Sequence, residues 1–176
     1  MAHFAKIVLE TKQGENQPKW WVKKVIVIGN DIPTANGPLG ENNKAIEGEE
    51  YCKKLYGGDW KQTSYNKNFR YNFAGTHSYY DPEADAFIYP RPEDSNGVLC
   101  ESWSLNTDNY QWEAPVPEPS IETYTTEENG ETLTWHWNPF WNETTQRWEA
   151  WHYPNTEGVD GTKYYWNSNT SEFVAI

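Results

Sequence analysis

Only two cysteines, Cys52 and Cys100, occur in 176 residues. That is too few for a disulfide framework, and both are expected to be free, buried and inert. Hydrophobic residues make up only 36% of the chain, and the mean hydropathy is −0.95. No apolar run approaches the roughly 20 residues of a membrane-spanning helix. The opening M-A-H-F-A-K-I-V-L-E has no long apolar core of the kind a secretory signal carries; synthesis in a cytoplasm without export is the expectation. On that basis N-E-T at Asn142 and N-T-S at Asn169 are chance matches to the glycosylation pattern. Cations are scarce too: 14 Lys and Arg face 26 Asp and Glu, a formal net charge of −12. Nucleic-acid binding needs Lys and Arg to displace counterions from phosphate, and anionic membrane surfaces need the same sign. Both are excluded. Such an acidic balance serves solubility through self-repulsion, or docking on a basic partner.

Signatures of chemistry are missing as well. His3, His77, His136 and His152 show no HExxH or comparable ligand spacing, and zinc needs three or four converging ligands. There is no G-x-S-x-G, P-loop or dinucleotide fingerprint. A glycosidase needs two carboxylates in a cleft, but among 26 acids a chance pair carries no weight. No catalytic residue, metal or cofactor is nominated, and the chain reads as a non-enzyme.

What the chain has in abundance is aromatic: eleven Trp and twelve Tyr. Each large ring can remove about 150–250 Å² from water, roughly 4–6 kcal/mol as an upper estimate. A core of rings in place of aliphatics is therefore expected. The rings recur as brackets around polar inserts: Tyr80/Phe87, Trp103/Trp112, Trp141/Trp148 and Trp166/Phe173. The inserts are rich in turn-forming Asn, Asp, Ser and Thr, and the bracketing types favour strands. Each unit predicts a short β-hairpin with a four-residue loop and two rings facing across the strands. The Trp103/Trp112 insert is longer, which predicts rings on the opposite face of that hairpin. Uneven spacing of the brackets argues against a regular solenoid or propeller.

Along the chain, F-A-K-I-V-L and W-W-V-K-K-V-I-V-I predict an antiparallel pair, with Val25–Ile28 buried on both faces. Residues 42–56 predict the only helix, stopped by Gly57-Gly58. Trp60–Tyr65 and the alternating Phe69, Tyr71 and Phe73 read as strands. P-R-P-E-D-S-N-G reads as a linker, and A-P-V-P-E-P as a stiff spacer. Asn129-Gly130 is a preferred hairpin turn; counting from it sets Tyr124 opposite Trp135 and Thr126 opposite Leu133. Leu133, Trp135 and Trp137 then share one face, and Thr134 and His136 the other. The expected architecture is an α+β domain over residues 1–92, an antiparallel sheet with one helix. A linker at 93–98 follows, then an all-β, aromatic-rich hairpin region over 99–176. The whole is β-dominated.

Trp137, Trp141, Trp148, Trp151 and Tyr153 are the candidate partner-contact residues, since W-E-A-W-H-Y-P packs three rings into a short stretch. Exposed rings of this kind can stack on sugars, or can form a core or a protein interface. The remaining bracket rings, with Tyr124 and Trp135, are expected to be structural pairs.

Several stretches resemble a family of small structural proteins of marine tailed bacteriophages, cyanophage-like and mostly hypothetical. The resemblance rests on M-A-H-F-A-K, E-Y-C-K-K-L-Y-G-G-D-W, K-Q-T-S-Y-N, F-R-Y-N-F-A-G, Y-Y-D-P-E-A-D-A-F-I-Y-P-R-P and W-S-L-N-T-D-N-Y-Q-W-E-A-P-V-P. In order and spacing these cover roughly residues 1–119. The resemblance implies a non-catalytic virion component, made in the host bacterial cytoplasm and present in multiple copies. A capsid decoration protein on the major capsid lattice is the favoured form; a tail, baseplate or fibre component and a host-glycan-binding module are the alternatives. The extension from residue 120 to 176 lies outside the resemblance.

Overall fold

The computed structural model describes residues 1–35, 37–39, 46–121, 123–128, 130–152 and 161–176. The chain divides into two compact units. One comprises Met1–Pro90 with Leu105–Gln111, the other Arg91–Ser104 with Trp112–Ile176. Strands dominate, and the one helix among the described residues lies in the first unit. The β-dominated α+β class read from the sequence holds.

In the first unit, β1 (Ala2–Glu10) and β2 (Lys19–Ile28) pair antiparallel along their whole length, with a bulge between Lys6 and Ile7. A short ribbon, β3 (Pro33–Thr34) with β4 (Gly37–Pro38), leads to helix α1 (Ile46–Tyr56). After it come β5 (Asp59–Thr63), β6 (Tyr79–Asp81) and β7 (Ala86–Ile88), giving the sheet order β5-β1-β2-β6-β7. The helix carries Glu47 and Glu49 in its first turn and Lys53 and Lys54 in its last, matching its dipole. Gly57 and Gly58 stop it in left-handed conformations, and the Gly57 N–H donates to the Lys53 carbonyl at 2.9 Å. Residues 42–45 of the predicted helix lie outside the described residues.

Side-chain alternation along β1 splits the core in two. Ala2 and Phe4 join Ile28, Leu39, Trp60 and helical Cys52 on one face. Ala5 and Ile7 join Val22, Ala74, Tyr80 and Phe87 on the other, with Trp20 and Val25 packed against them. Gly48 lets the helix sit close: a β-carbon there would come within 2.6 Å of the Phe4 ring and 2.7 Å of Leu39. The expectation that Val25–Ile28 is buried on both faces fails at Val27, which is 51% exposed. The cluster containing Cys52 covers only the face that holds Ile26 and Ile28. Phe69–Phe73 is not a strand either. Arg70 and Tyr71 both adopt left-handed φ, 57° and 59°, which breaks the alternation that the apolar spacing suggested.

The hairpin of β8 (Ser104–Asn106) and β9 (Gln111–Glu113) falls across the division between the units. Beyond it the second unit holds the ribbon β10 (Thr123–Glu128) with β11 (Glu131–His136). Its main sheet runs β12 (Phe140–Asn142), β13 (Arg147–His152), β14 (Thr162–Asn167) and β15 (Glu172–Ala175), each strand antiparallel to the next. Tyr124 faces Trp135 and Thr126 faces Leu133, the register counted from the Asn129-Gly130 turn; Asn129 itself is outside the described residues. The core joins Cys100, Trp141 and Trp148, with Trp103, Ala114, Val116 and Trp166 against them. A-P-V-P-E-P is thus no free spacer: the Val116 carbonyl accepts the Trp148 indole N–H at 2.8 Å. Residues read as a linker form a closed loop. Asp94 Oδ1 accepts the Asn96 and Val98 N–H groups, and Glu93 bridges to Leu99.

The bracketed hairpins share one loop design. Asp81, Asn106, Asn142 and Asn167 each end a strand and accept a loop N–H on the side-chain oxygen. Asp85, Tyr110, Gln146 and Ser171 each end a loop in a left-handed conformation, with φ between 46° and 55°. Tyr80–Phe87, Trp141–Trp148 and Trp166–Phe173 are register partners with ring centroids 5.5, 5.4 and 5.3 Å apart. The same count in the second hairpin sets Leu105, not Trp103, opposite Trp112. The expected change of face therefore disappears, and Trp103 packs 6.1 Å from both Trp141 and Trp148. Left-handed φ costs a side chain about 1–2 kcal/mol. Exposed Gln146 offers a direct check: Gln146→Gly is expected to raise stability by about 1 kcal/mol and the melting temperature by about 2–4 °C, read by thermal unfolding.

Candidate functional site

Alternation puts two different surfaces on the sheet of the second unit. Trp141, Trp148 and Trp166 point into its ring core. Trp141 and Trp148 are 4% and 7% exposed, so neither is an accessible contact residue. Their indole N–H groups are used internally, on Glu143 and on the Val116 carbonyl. Trp137 is half-buried, its ring 4.1 Å from Tyr124, 4.4 Å from Phe173 and 5.1 Å from Tyr164. Tyr124 and Trp135 are register partners, but Tyr124 stacks on Trp137 and bonds His152 while Trp135 meets the His152 ring edge-on at 5.5 Å. Trp112 lies under the Arg91 guanidinium. Tyr153 lies outside the described residues. Of the candidate contact residues, Trp151 stays open, at 43% exposure.

Trp151 belongs to the outward face. Register places Phe140, Glu149, Tyr165 and Val174 in one row across the four strands, with Trp151 beside Lys163 in the next. Glu149, at the centre, is 1% exposed. It accepts bonds from Lys163, Asn142, Arg147 and Thr145. Lys163 in turn lies 5.8 Å from the Phe140 ring and 5.7 Å from Trp151, and Arg147 sits 4.8 Å over Tyr165. Burial alone would push the Glu149 carboxyl up, but the hydrogen bonds from Lys163, Asn142 and Arg147 outweigh it and pull the pKa down to about 2. The Glu149 anion thus ties together two cations that lie over three rings.

A second charged network lies in the first unit. Arg70 donates to Glu49 Oε1 at 2.8 Å, to the Gln62 carbonyl at 2.6 Å and to Asp85 Oδ1 at 2.7 Å. Glu49 also accepts the Gln62 N–H at 2.9 Å and pairs with Lys61 at 3.1 Å. Strand β5 is an edge of its sheet, so both outward backbone groups of Gln62 are capped by one ion pair. Tyr80 donates to Asp85 at 2.6 Å. Burial and that bond push the Tyr80 hydroxyl up, while the bonds from Tyr80 and Arg70 override burial and hold Asp85 low.

Both cysteines are free and buried. Burial and nearby Glu49 push the Cys52 thiol up to about 11, and burial with Glu143 raises Cys100. Neither carries the thiolate that reactivity requires. Among the described residues no group of three or more His, Cys, Asp and Glu side chains is placed to hold a metal, and no helix there is long and apolar enough to cross a membrane. Glu149 and Arg70 were missed by sequence reasoning. The readable signal for Glu149 was parity: it shares a strand face with Arg147 and Trp151 in R-W-E-A-W.

Charge is divided unequally. The first unit holds eleven of the Lys and Arg and twelve of the Asp and Glu, a formal −1; the second holds three against fourteen, a formal −11. All three cations of the second unit sit over rings. In comparisons with known protein families, curated proteins and solved structures, the chain matches none.

Proposed function

We propose that the chain is a non-catalytic structural protein of a tailed-bacteriophage particle, a capsid decoration protein that binds the major capsid lattice. The observation that carries this reading is the concentration of negative charge in a stiff, ring-braced second unit whose cations are already engaged. Such a unit is steered toward a basic partner surface. Its near-neutral outward face, with Trp151, Phe140 and Tyr165, is where close contact meets least repulsion. The resemblance over residues 1–119 supports the same reading. Copies repeated by capsid symmetry sum modest contacts through multivalency.

Quantitative mass spectrometry of purified particles tests it. A decoration protein should be present in hundreds of copies, on the order of the capsid lattice itself. About a dozen copies would move the assignment to the tail or baseplate. Absence from particles would end the structural reading. Re-attachment to stripped particles should weaken steeply as salt rises, as charge-steered docking requires.

A further inference from the structure

A strand at the edge of a sheet turns every second N–H and C=O outward, where another chain can pair with them. The five-stranded sheet of the first unit seals both of its edges. On β5 the Gln62 N–H and carbonyl are taken by Glu49 and Arg70. On β7 the Phe87 N–H donates to the Arg70 carbonyl at 3.2 Å, and the Phe87 carbonyl accepts the Asn72 side-chain amide at 3.0 Å. In the four-stranded sheet of the second unit, β12 is kept to three residues and follows Pro139. Shortness and proline both blunt an edge.

The opposite edge, β15, has no such device. The Ile176 N–H donates to the Lys163 carbonyl at 2.9 Å. Ile176, Val174 and Glu172 therefore turn their backbone groups toward β14, and by alternation Phe173 and Ala175 turn theirs away. Among the described residues no strand pairs with that side and no hydrogen bond closes it. The run E-F-V-A-I holds no proline or lysine, its register with β14 is unbroken, and Ala175 is exposed. Val174 also ends the row of Phe140, Glu149 and Tyr165, so the open edge borders the outward face.

We propose that β15 takes up an extended, lysine- or arginine-bearing segment of a partner protein as a fifth strand. This deepens the reading above, on which it rests for the sign of the partner's charge, by naming how that partner is held. Backbone pairing gives the hold, and charge chooses the occupant. The second unit sets three cations against fourteen acids, a formal −11, and its cations lie over rings. A second copy of this chain has the same edge to offer, but it brings −11 to −11. A basic segment meets attraction instead. Strand geometry fixes the contact. In antiparallel pairing, the residues opposite Phe173 and Ala175 exchange N–H and C=O bonds with them, and the residue between stands beside Val174 on the outward face.

The test is calorimetric titration of the full chain with the end-blocked peptide K-T-K-V-K-T-K, against neutral S-T-S-V-S-T-S and acidic E-T-E-V-E-T-E. The basic peptide should saturate binding at or below about 1 mM. The other two should bind at least about tenfold more weakly, and the affinity of the basic one should fall as salt rises. Ala175→Pro deletes one outward N–H and leaves the ladder to β14 intact, so it should keep the fold and weaken binding about tenfold. Ala175→Thr keeps the N–H and should bind at least about fivefold more tightly than Ala175→Pro. In the wild type, hydrogen exchange at the Phe173 and Ala175 amides should slow as the peptide is added. No binding at about 1 mM, no slowing at those two amides, or full affinity in a folded Ala175→Pro variant overturns the proposal. A wild-type dimer in sedimentation that Ala175→Pro abolishes overturns it in favour of self-pairing. The copy number on particles is a separate readout: particles that carry the chain while the peptide fails remove the fifth strand alone, and particles without the chain while the peptide binds remove the particle role alone.

Discussion

Replacing Arg70 with alanine is expected to cost about 3–5 kcal/mol, a large part of a typical domain's stability. The guanidinium is 6% exposed and serves Glu49, Asp85 and a backbone carbonyl at once. Taking it away leaves the Glu49 carboxylate, 13% exposed, with Lys61 alone as a cationic partner. Two further losses follow. Arg70 and Tyr71 are held in left-handed backbone conformations, and such strain persists only where surrounding bonds over-determine it. The Gln62 carbonyl also loses its cap on the outer side of β5. An uncapped sheet edge is a template for pairing with another chain. Arg70→Ala should therefore lower the urea midpoint and also produce concentration-dependent oligomers in size-exclusion chromatography. Arg70→Lys keeps the charge but not the fork that spans two carboxylates and a carbonyl, so it should recover less than half of the loss. An unchanged midpoint in Arg70→Ala would show that the network is ornamental and that packing alone holds this edge.

That network also marks where a linear reading stops. Local chemistry was legible. The Asn-Gly turn fixed the register of β10 and β11, because a two-residue loop leaves one pairing parity. Gly57-Gly58 marked the helix end. Asx residues before polar inserts marked the hairpins, and three of the four ring pairs stand as the brackets indicated. The fourth went astray because the ring nearest the turn was assumed to be the partner, when the Asx residue sets the count and points to Leu105. The contact residues were misplaced for a related reason. Trp141 and Trp148 sit on the strand face that Cys100, Trp103 and Val116 cover, and nothing local tells which face a distant segment will cover. Arg70 and Glu149 were illegible for the same cause. A buried charge is permitted only by partners brought from elsewhere, here Glu49 and Asp85 for the one and Lys163 for the other.

Glu149→Gln should cost about 2–4 kcal/mol, nearly all of it electrostatic, since shape is conserved. The amide can still bond Asn142 and Thr145, but Lys163 and Arg147 are left facing a neutral group and each other. Both cations are about one-third exposed, 31% and 34%, so water recovers part of the loss and the effect falls below that of Arg70→Ala. The pH dependence separates this cause from simple packing. Glu149 titrates near 2 in the folded protein against an ordinary value of 4.5. A carboxyl depressed by folding adds stability that is fully present above the unfolded value and is lost as pH falls through the folded one. The wild-type protein should therefore lose stability steadily between about pH 4.5 and pH 2, and part of that slope should vanish in Glu149→Gln. Urea midpoints measured every half unit across that window read the difference directly. Parallel curves for the two proteins would mean that the carboxylate is as well solvated unfolded as folded. The outward face would then owe its order to rings alone, and its cations would be free to meet a partner's acids. Converging curves at low pH would leave the face as drawn here: an anion locked beneath two cations and three rings, spent on rigidity, so that Trp151 projects from a surface that does not rearrange when touched.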